Sequence, residues 1–203
     1  MLSIIELNLL DYEQFIMEFG NVVEKCPAIS GALWDYRPFN SISHLIFTIS
    51  CIISELPDSG RCCVKLSEKK NSLKNVSKNC FFFFLVKAGI LRGITDLGGR
   101  LAQTGQLAKE SAKEQSQAGL NCLSNEERIL LTKLNELYKA KFGFPFVICA
   151  RLNRKDAILK NLRVRYPNGI ENELNIAINQ VLKICELRIR DIISSQSMLQ
   201  SKL

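Results

Sequence analysis

The sequence lacks the patterns that mark a membrane protein, a secreted protein or a metal protein. Among its 203 residues, no apolar run approaches the roughly 20 residues that span a bilayer. The opening residues, Met-Leu-Ser-Ile-Ile-Glu, have no basic region before an apolar one, so we expect no secretory signal. Eight cysteines are present, but none has zinc spacing, so we expect buried thiols, a reducing compartment and no metal.

Motifs that hold phosphate or activate a serine are also missing. The sequence contains neither a Gly-rich loop followed by Lys-Ser/Thr nor a Gly-x-Ser-x-Gly elbow. The single histidine, His44, lies on an apolar helical pattern, where we expect a structural role. These motifs therefore supply no phosphate site or serine nucleophile, and without an apolar run long enough to span a bilayer we expect no membrane partner.

The net charge of +7 is unevenly distributed. The segment Cys62–Val86 contains five lysines and one glutamate, a net +4, which leaves an ordinary +3 elsewhere. A nucleic-acid role would rest on these lysines alone, and steep salt dependence would be its signature. We therefore expect no nucleic-acid partner.

The same segment has no helical or strand periodicity, and it ends in four consecutive phenylalanines, Phe81–Phe84. Phenylalanine codons are pyrimidine-rich, like the tract before a splice acceptor. We interpret residues 62–86 as a non-native insertion, a translated intron, with a loop ending in an apolar run as the alternative. Residues 194–203 are predicted to be a flexible tail.

Helical periodicity covers most of the remaining chain. Asp11 with Gln14 and Ser124 with Glu127 form capping boxes. We predict an all-α fold, a single compact bundle of about eight helices within one domain, residues 1–203, with an irregular insertion. Further predictions are a cap at Ser41 or Ser43, a polar helix at Leu107–Leu120, core positions at Leu130, Leu131, Leu134, Leu137 and Tyr138, a helix started by Asn153 and Asp156, and a last helix from about Glu171 to Ile193.

An uncharged run, Phe144–Ala150, follows a helix that stops at Gly143. Pro145 prevents the run from continuing the helix, yet its apolar side chains must be buried. Buried extended backbone needs hydrogen-bond partners. One buried strand would satisfy the pattern, but a bound ligand is another source of partners. We interpret the run as one wall of a small-molecule site.

Two charged residues are candidates for chemistry. Arg188 falls on the apolar stripe of the last helix, where a guanidinium requires an anion. That anion is either an internal acid such as Glu114 or a ligand carboxylate. Glu114 itself is either an acid/base group or part of a solvated helix face.

A series of motifs resembles one family in order and spacing. The series resembles 2-oxo-4-hydroxy-4-carboxy-5-ureidoimidazoline (OHCU) decarboxylase over nearly the whole chain except residues 62–86. The motifs are Phe19–Glu24 (Phe-Gly-Asn-Val-Val-Glu), Trp34 with Tyr36–Phe39, Glu110-Ser111 with Glu114–Leu120, Leu134-Asn135 with Tyr138, Lys141–Arg151, and Lys183-Ile184 with Leu187-Arg188.

The resemblance implies a carboxy-lyase of purine metabolism that acts in urate degradation and forms (S)-allantoin from OHCU without a cofactor. It also implies an all-helical fold, typically a homodimer. By position, Glu114 and Arg188 become catalytic residues. The implied substrate-binding residues are Thr95, Ser111, Ala112, Lys113, Glu114, Gln115, Phe146, Val147, Ile148, Cys149 and Ala150.

The chain departs from the family at its principal catalytic group. The family has His-Pro-Asp-Leu-Ala-Gly where this sequence has Ile94-Thr95-Asp96-Leu97-Gly98-Gly99. Isoleucine cannot transfer a proton, so we predict impaired activity. The alternative is a non-catalytic relative that keeps the fold and binds a ureide or a protein partner.

The tripeptide Ser201-Lys202-Leu203 matches a peroxisomal targeting signal. A chance match is the competing interpretation. The family is often peroxisomal, which agrees with the signal. We therefore expect peroxisomal import through its receptor.

Overall fold

The computed structural model describes residues 2–54 and 87–193, with the side chain of residue 103 left out. Residues 62–86, 194–203 and the targeting tripeptide lie outside the described part, so the predictions made for them stay predictions. The described helices are α1 (Ile4–Leu9), α2 (Tyr12–Phe19), α3 (Pro27–Trp34), α4 (Ile42–Ser54), α5 (87–93), α6 (Arg100–Gln103), α7 (Lys109–Gln117), α8 (Asn125–Phe142), α9 (Lys155–Arg165) and α10 (Ile170–Ile192). Two 3₁₀ turns, Leu120–Cys122 and Ala150–Leu152, complete the described elements.

This architecture confirms the all-α prediction. Within the described ranges, the β contacts amount to one isolated parallel bridge, between Leu2 and Ile193. No helix in the described ranges is long and apolar enough to cross a membrane.

The chain divides into two compact units by the contacts between its Cα atoms. One unit comprises Met1–Val86 and Ile184–Leu203, and the other comprises Lys87–Lys183. Helix α10 contributes residues to both units. The prediction of a single domain stays a prediction.

In the unit that contains both chain ends, aromatic packing and capping define the first helices. The predicted Asp11/Gln14 capping box is present at the start of α2. Phe15 and Phe19 are fully buried and stack on each other, with ring centroids 4.7 Å apart. The hydroxyl of Ser41 accepts the amide hydrogen of His44 at 3.1 Å, which identifies Ser41 as the cap of α4.

In the unit Lys87–Lys183, two predicted signals are correct. Ser124 and Glu127 form the capping box of α8, and the helix ends at Gly143, whose φ of +75° suits glycine.

Three details of the prediction for this unit are wrong. Leu137 is 44% exposed because it lies on the solvent side of α8, and buried Asn135 takes a core position instead. Asn153 does not cap α9, because its amide nitrogen donates to the carbonyl of Cys149. The polar helix is also shorter than Leu107–Leu120, since α7 ends at Gln117 and Gly119 is left-handed.

Candidate functional site

The wall segment, Phe144–Ala150, forms no strand and no α-helix, and its last residue, Ala150, begins a 3₁₀ turn. Every residue in it is buried, and Phe146 and Cys149 are each 1% exposed. The prediction of a buried run is confirmed, and the run is non-helical as far as Cys149. The alternative of a hydrogen-bonded strand is wrong, because side chains supply the observed hydrogen bonds of the run to neighbouring elements.

Three side chains of the same unit hold the backbone of the wall segment. Arg165 donates from Nη1 to the carbonyl of Val147 at 2.8 Å. Gln180 accepts the amide hydrogen of Cys149 at 3.0 Å, and Asn153 donates to its carbonyl at 2.9 Å. These groups therefore need no ligand, contrary to the simplest form of the sequence argument. Ile148 lies between the anchored residues Val147 and Cys149.

A buried charge network lies behind Arg165. Glu173, which is 0% exposed, accepts hydrogen bonds from Arg165 Nε at 2.8 Å, from Asn168 at 2.7 Å and from the hydroxyl of Tyr138. Burial, followed by the bond to Glu173, raises the pKa of Tyr138 well above its ordinary value. The phenol therefore stays protonated and acts as a donor.

Sequence reasoning missed Arg165 and Glu173. The available signal was Glu173, which falls on the apolar stripe of α10 four residues before Ala177. A carboxylate on such a stripe requires a cation, by the same logic that drew attention to Arg188.

Helix α7 presents part of the predicted substrate-binding set to the interior. Ser111, Glu114 and Gln115 are buried because they are spaced three and four residues apart on one helix face. Ala112 and Lys113 are exposed on the other side of the helix. The structure therefore does not bring these two side chains together with the others.

Glu114 is not part of a solvated face, since it is only 8% exposed. Helix α7 packs on the 3₁₀ turn Ala150–Leu152, which begins at the last residue of the wall segment. Burial raises the pKa of the Cys149 thiol, and the negative charge of Glu114 raises it further, while Arg151 opposes the shift. Glu114 thus lies within electrostatic reach of the wall.

The loop 94–99 contains Ile94, the predicted position of the family's histidine. Ile94 is half-buried and Thr95 is buried. Three side chains hold the loop in place. Gln115 accepts the amide hydrogen of Gly98 at 2.9 Å, Asn135 donates to the carbonyl of Leu97 at 3.0 Å, and Lys139 forms an ion pair with Asp96 at 2.6 Å. Gln115, predicted to bind substrate, therefore also ties this loop to α7.

A cleft of about 380 Å³ opens beside this loop. It joins the site positions Ile94 and Thr95 to the first two residues of the wall segment, Phe144 and Pro145. Charged side chains at the cleft are Arg92, Asp96, Arg100 and Lys139.

Arg188 belongs to the other unit and is 5% exposed, so its predicted burial is confirmed. Its Nη1 donates to the carbonyl of Asn21 at 2.8 Å, and Cys185, one turn earlier, contacts the carbonyl of Val22. The motif Phe19–Glu24 is thereby tied to α10. The backbone carbonyl of Asn21 therefore satisfies part of the hydrogen-bonding capacity of the guanidinium.

His44 has structural contacts, as expected from its position. Its Nδ1 accepts the amide hydrogen of Asn40 at 3.3 Å, and its ring packs edge-on against Phe39 with centroids 5.7 Å apart.

Known proteins are similar to this chain over nearly its full length. The family model for OHCU decarboxylase matches residues 8–190. The chain is 39% identical to the OHCU decarboxylase of Xenopus laevis over 95% of both chains, and 40% identical to that of Amia calva over 93% of both. The Mus musculus protein of the same name is 36% identical, with 97% of this chain and 96% of that protein covered.

Two solved structures share the fold. A crystal structure of OHCU decarboxylase in the presence of (S)-allantoin has a TM-score of 0.59 at 21% identity and covers 86% of this chain and 96% of that one. A crystal structure of (S)-allantoin synthase has a TM-score of 0.62 at 19% identity, covering 95% of this chain and 54% of that one. Matched motifs, a family model over most of the chain and relatives above one-third identity agree: the chain belongs to the OHCU decarboxylase family.

Proposed function

We propose that this protein decarboxylates OHCU to (S)-allantoin in urate degradation, without a cofactor. Family membership supports the reaction class. The observation that carries the proposal for this chain is the burial of Glu114 on α7. This helix packs against the 3₁₀ turn at the end of the buried wall segment. A carboxyl group beside a water-poor wall suits a reaction in which charge develops on carbon as carbon dioxide leaves.

Each proposed role follows from chemistry. Glu114 acts as the acid that helps to deliver a proton to one face of the product carbon, which sets its handedness. Backbone groups of the wall segment and the side chains of Ser111 and Thr95 orient the ureide. Arg188 supplies positive charge for a carboxylate or a developing anion. Because Arg188 is only 5% exposed, water screens its charge weakly, which supports this role.

Ile94 lowers the expected rate. An acid/base group of this kind contributes about 10²–10⁴-fold to a rate, and an alkyl side chain supplies none of it. We expect weak turnover from the chain as it stands. The half-buried position at the edge of the cleft leaves room for imidazole, which is similar in size to the isoleucine side chain.

The test compares Ile94→His with the parent and with Ile94→Asn, a matched control that is polar but cannot act as an acid or base. OHCU is generated enzymatically from urate, and (S)-allantoin is followed by circular dichroism. We expect Ile94→His to raise kcat by about 10²-fold or more, Ile94→Asn to leave it unchanged, and Glu114→Gln to abolish the gain. Absence of turnover in folded Ile94→His would overturn the proposal.

Ile94 also favours a second candidate, a relative that binds a ureide or a protein partner without turnover. Calorimetric binding of (S)-allantoin by the parent, with no product from OHCU in either the parent or Ile94→His, would favour this candidate. Turnover of OHCU by the parent would exclude this candidate.

We further propose a homodimer, which rests on the family resemblance, and peroxisomal import, which rests on that resemblance and on the tripeptide Ser201-Lys202-Leu203. Light scattering after size exclusion tests the dimer, and a mass of one chain of 23.0 kDa would contradict it. Fluorescent fusions with and without the tripeptide test import. Equal cytosolic signal from both fusions would contradict the proposed receptor contact.

A further inference from the structure

The wall segment is held by a guanidinium that the proposed reaction does not use. Arg165, the last residue of α9, is 6% exposed. It donates from Nη1 to the carbonyl of Val147 at 2.8 Å and from Nε to Glu173 at 2.8 Å. Its guanidinium carbon also lies over the ring of Phe146, 4.5 Å from the centroid. One side chain thus fixes two consecutive residues of the wall.

Stability alone does not explain this arrangement. Apolar side chains of similar volume often replace a buried ion pair at no loss of stability, or even at a gain. They cannot, however, donate to a backbone carbonyl and stack on a ring while remaining fixed by a carboxylate. The planar fork of arginine does all three at once, and a lysine ammonium does not.

We propose that Arg165, held by Glu173, is a positioning residue that sets the location of the wall segment for the substrate. This rests on the proposed function in so far as the wall serves the decarboxylation. The anchors at Val147 and Cys149 hold the backbone on both sides of Ile148 in the chain. Loss of the anchor at Val147 lets this part of the wall shift, and displacements of about 1 Å reduce rates by up to about 100-fold.

Thiol protection measures the wall directly and needs no turnover. Cys149 is 1% exposed in the wall, whereas Cys185 is 0% exposed in the other unit. Cys149 therefore reports opening within its own unit, Cys185 reports opening of the other unit, and labelling of both reports global unfolding. Iodoacetamide labelling at pH 8, read by mass spectrometry, separates them, because trypsin releases Cys149 in the peptide 142–151.

The test variant is Arg165→Lys, which keeps the charge beside Glu173 but not the fork. The matched control is Arg163→Lys, an exposed arginine on the same helix. We expect Arg165→Lys to fold and to label Cys149 about tenfold faster, with Cys185 and the control unchanged. Unchanged protection of Cys149, or parallel labelling of Cys149 and Cys185, would overturn the positioning role.

The kinetic consequence is measured in the Ile94→His background. We expect Arg165→Lys to lower kcat/KM about tenfold, chiefly through KM, and Arg163→Lys to change neither constant. Increased labelling of Cys149 without any change in kcat/KM would show that the wall does not position substrate. If Ile94→His itself has no turnover, the proposed function fails, while thiol labelling still decides what holds the wall.

If Arg165→Lys does not fold, Arg165→Met/Glu173→Met replaces the pair with apolar side chains that are compatible with a folded core. The expected result is the same: selective labelling of Cys149 in a folded protein. Full protection of Cys149 in that double variant would equally overturn the inference.

Discussion

Replacing Glu173 with glutamine tests the central charge of the buried network. Glu173 is 0% exposed and accepts hydrogen bonds from Tyr138, Arg165 and Asn168. Glutamine has nearly the same size, but it removes the negative charge opposite Arg165. The carboxylate of Glu173 has two acceptor oxygens, whereas the glutamine amide has one and carries an NH₂ group in place of the other. That NH₂ group would face a hydrogen-bond donor.

The magnitude follows from the burial of both partners. Breaking a buried ion pair by removing one partner costs about 3–5 kcal/mol. For a chain of this size, each kcal/mol shifts Tm by about 2–4 °C. We therefore expect Glu173→Gln to lower Tm by about 6–20 °C.

The assay is thermal denaturation followed by circular dichroism at 222 nm, with urea unfolding as a second measurement. The matched control is Glu186→Gln, which removes an exposed pair with Arg190 on the same helix, the carboxylate being 43% exposed. An exposed pair of this kind contributes at most about 1 kcal/mol. If Glu173→Gln melts within about 2 °C of the control, the buried network does not carry the stability that we assign to it.

Three further predictions concern separate features of the chain. Because the pKa of Tyr138 is raised from 10.0, its contribution to stability is complete below about pH 10 and is lost as the pH rises further. Tyr138→Phe should therefore show a weaker loss of Tm than the parent between about pH 10 and 12, and an unchanged alkaline profile would contradict this. Gly98→Ala should destabilise by about 2 kcal/mol in urea unfolding, because φ is +60° and the new Cβ would lie 2.8 Å from Leu131; Gly119→Ala, with φ of +79° and open space, should lose only the backbone part, and equal losses would contradict the packing argument. Ser124→Ala should cost about 1 kcal/mol through loss of the cap of α8, and a change under 0.3 kcal/mol in the same assay would contradict it.

The helical class, the capping boxes and the burial of the wall segment could all be predicted from local sequence. Capping is local because a side chain three residues away satisfies a free amide, as at Asp11 and Gln14. The apolar run after Gly143 had to be buried whatever its partners were. Motif order identified the family, which the comparisons confirm.

Local sequence failed wherever the partner is distant in the chain. Asn153 resembles a helix cap, yet it donates to Cys149 of the wall. Leu137 fits the apolar pattern, but the neighbours of α8 leave it 44% exposed. Periodicity identifies a helix face, whereas the elements packed against the helix decide how wide the buried part of that face is.

The sequence by itself determined that this chain is helical and which family it belongs to, and it predicts that isoleucine stands where the family has histidine. Those properties depend on residue identity and short spacing. Only the tertiary structure decided that Arg165 and Glu173 hold the wall segment and that Ser111, Glu114 and Gln115 share a buried face without Ala112 and Lys113. A hydrogen bond between residues 18 positions apart, as between Arg165 and Val147, depends on how helices pack, because packing alone brings such groups within 3 Å of each other.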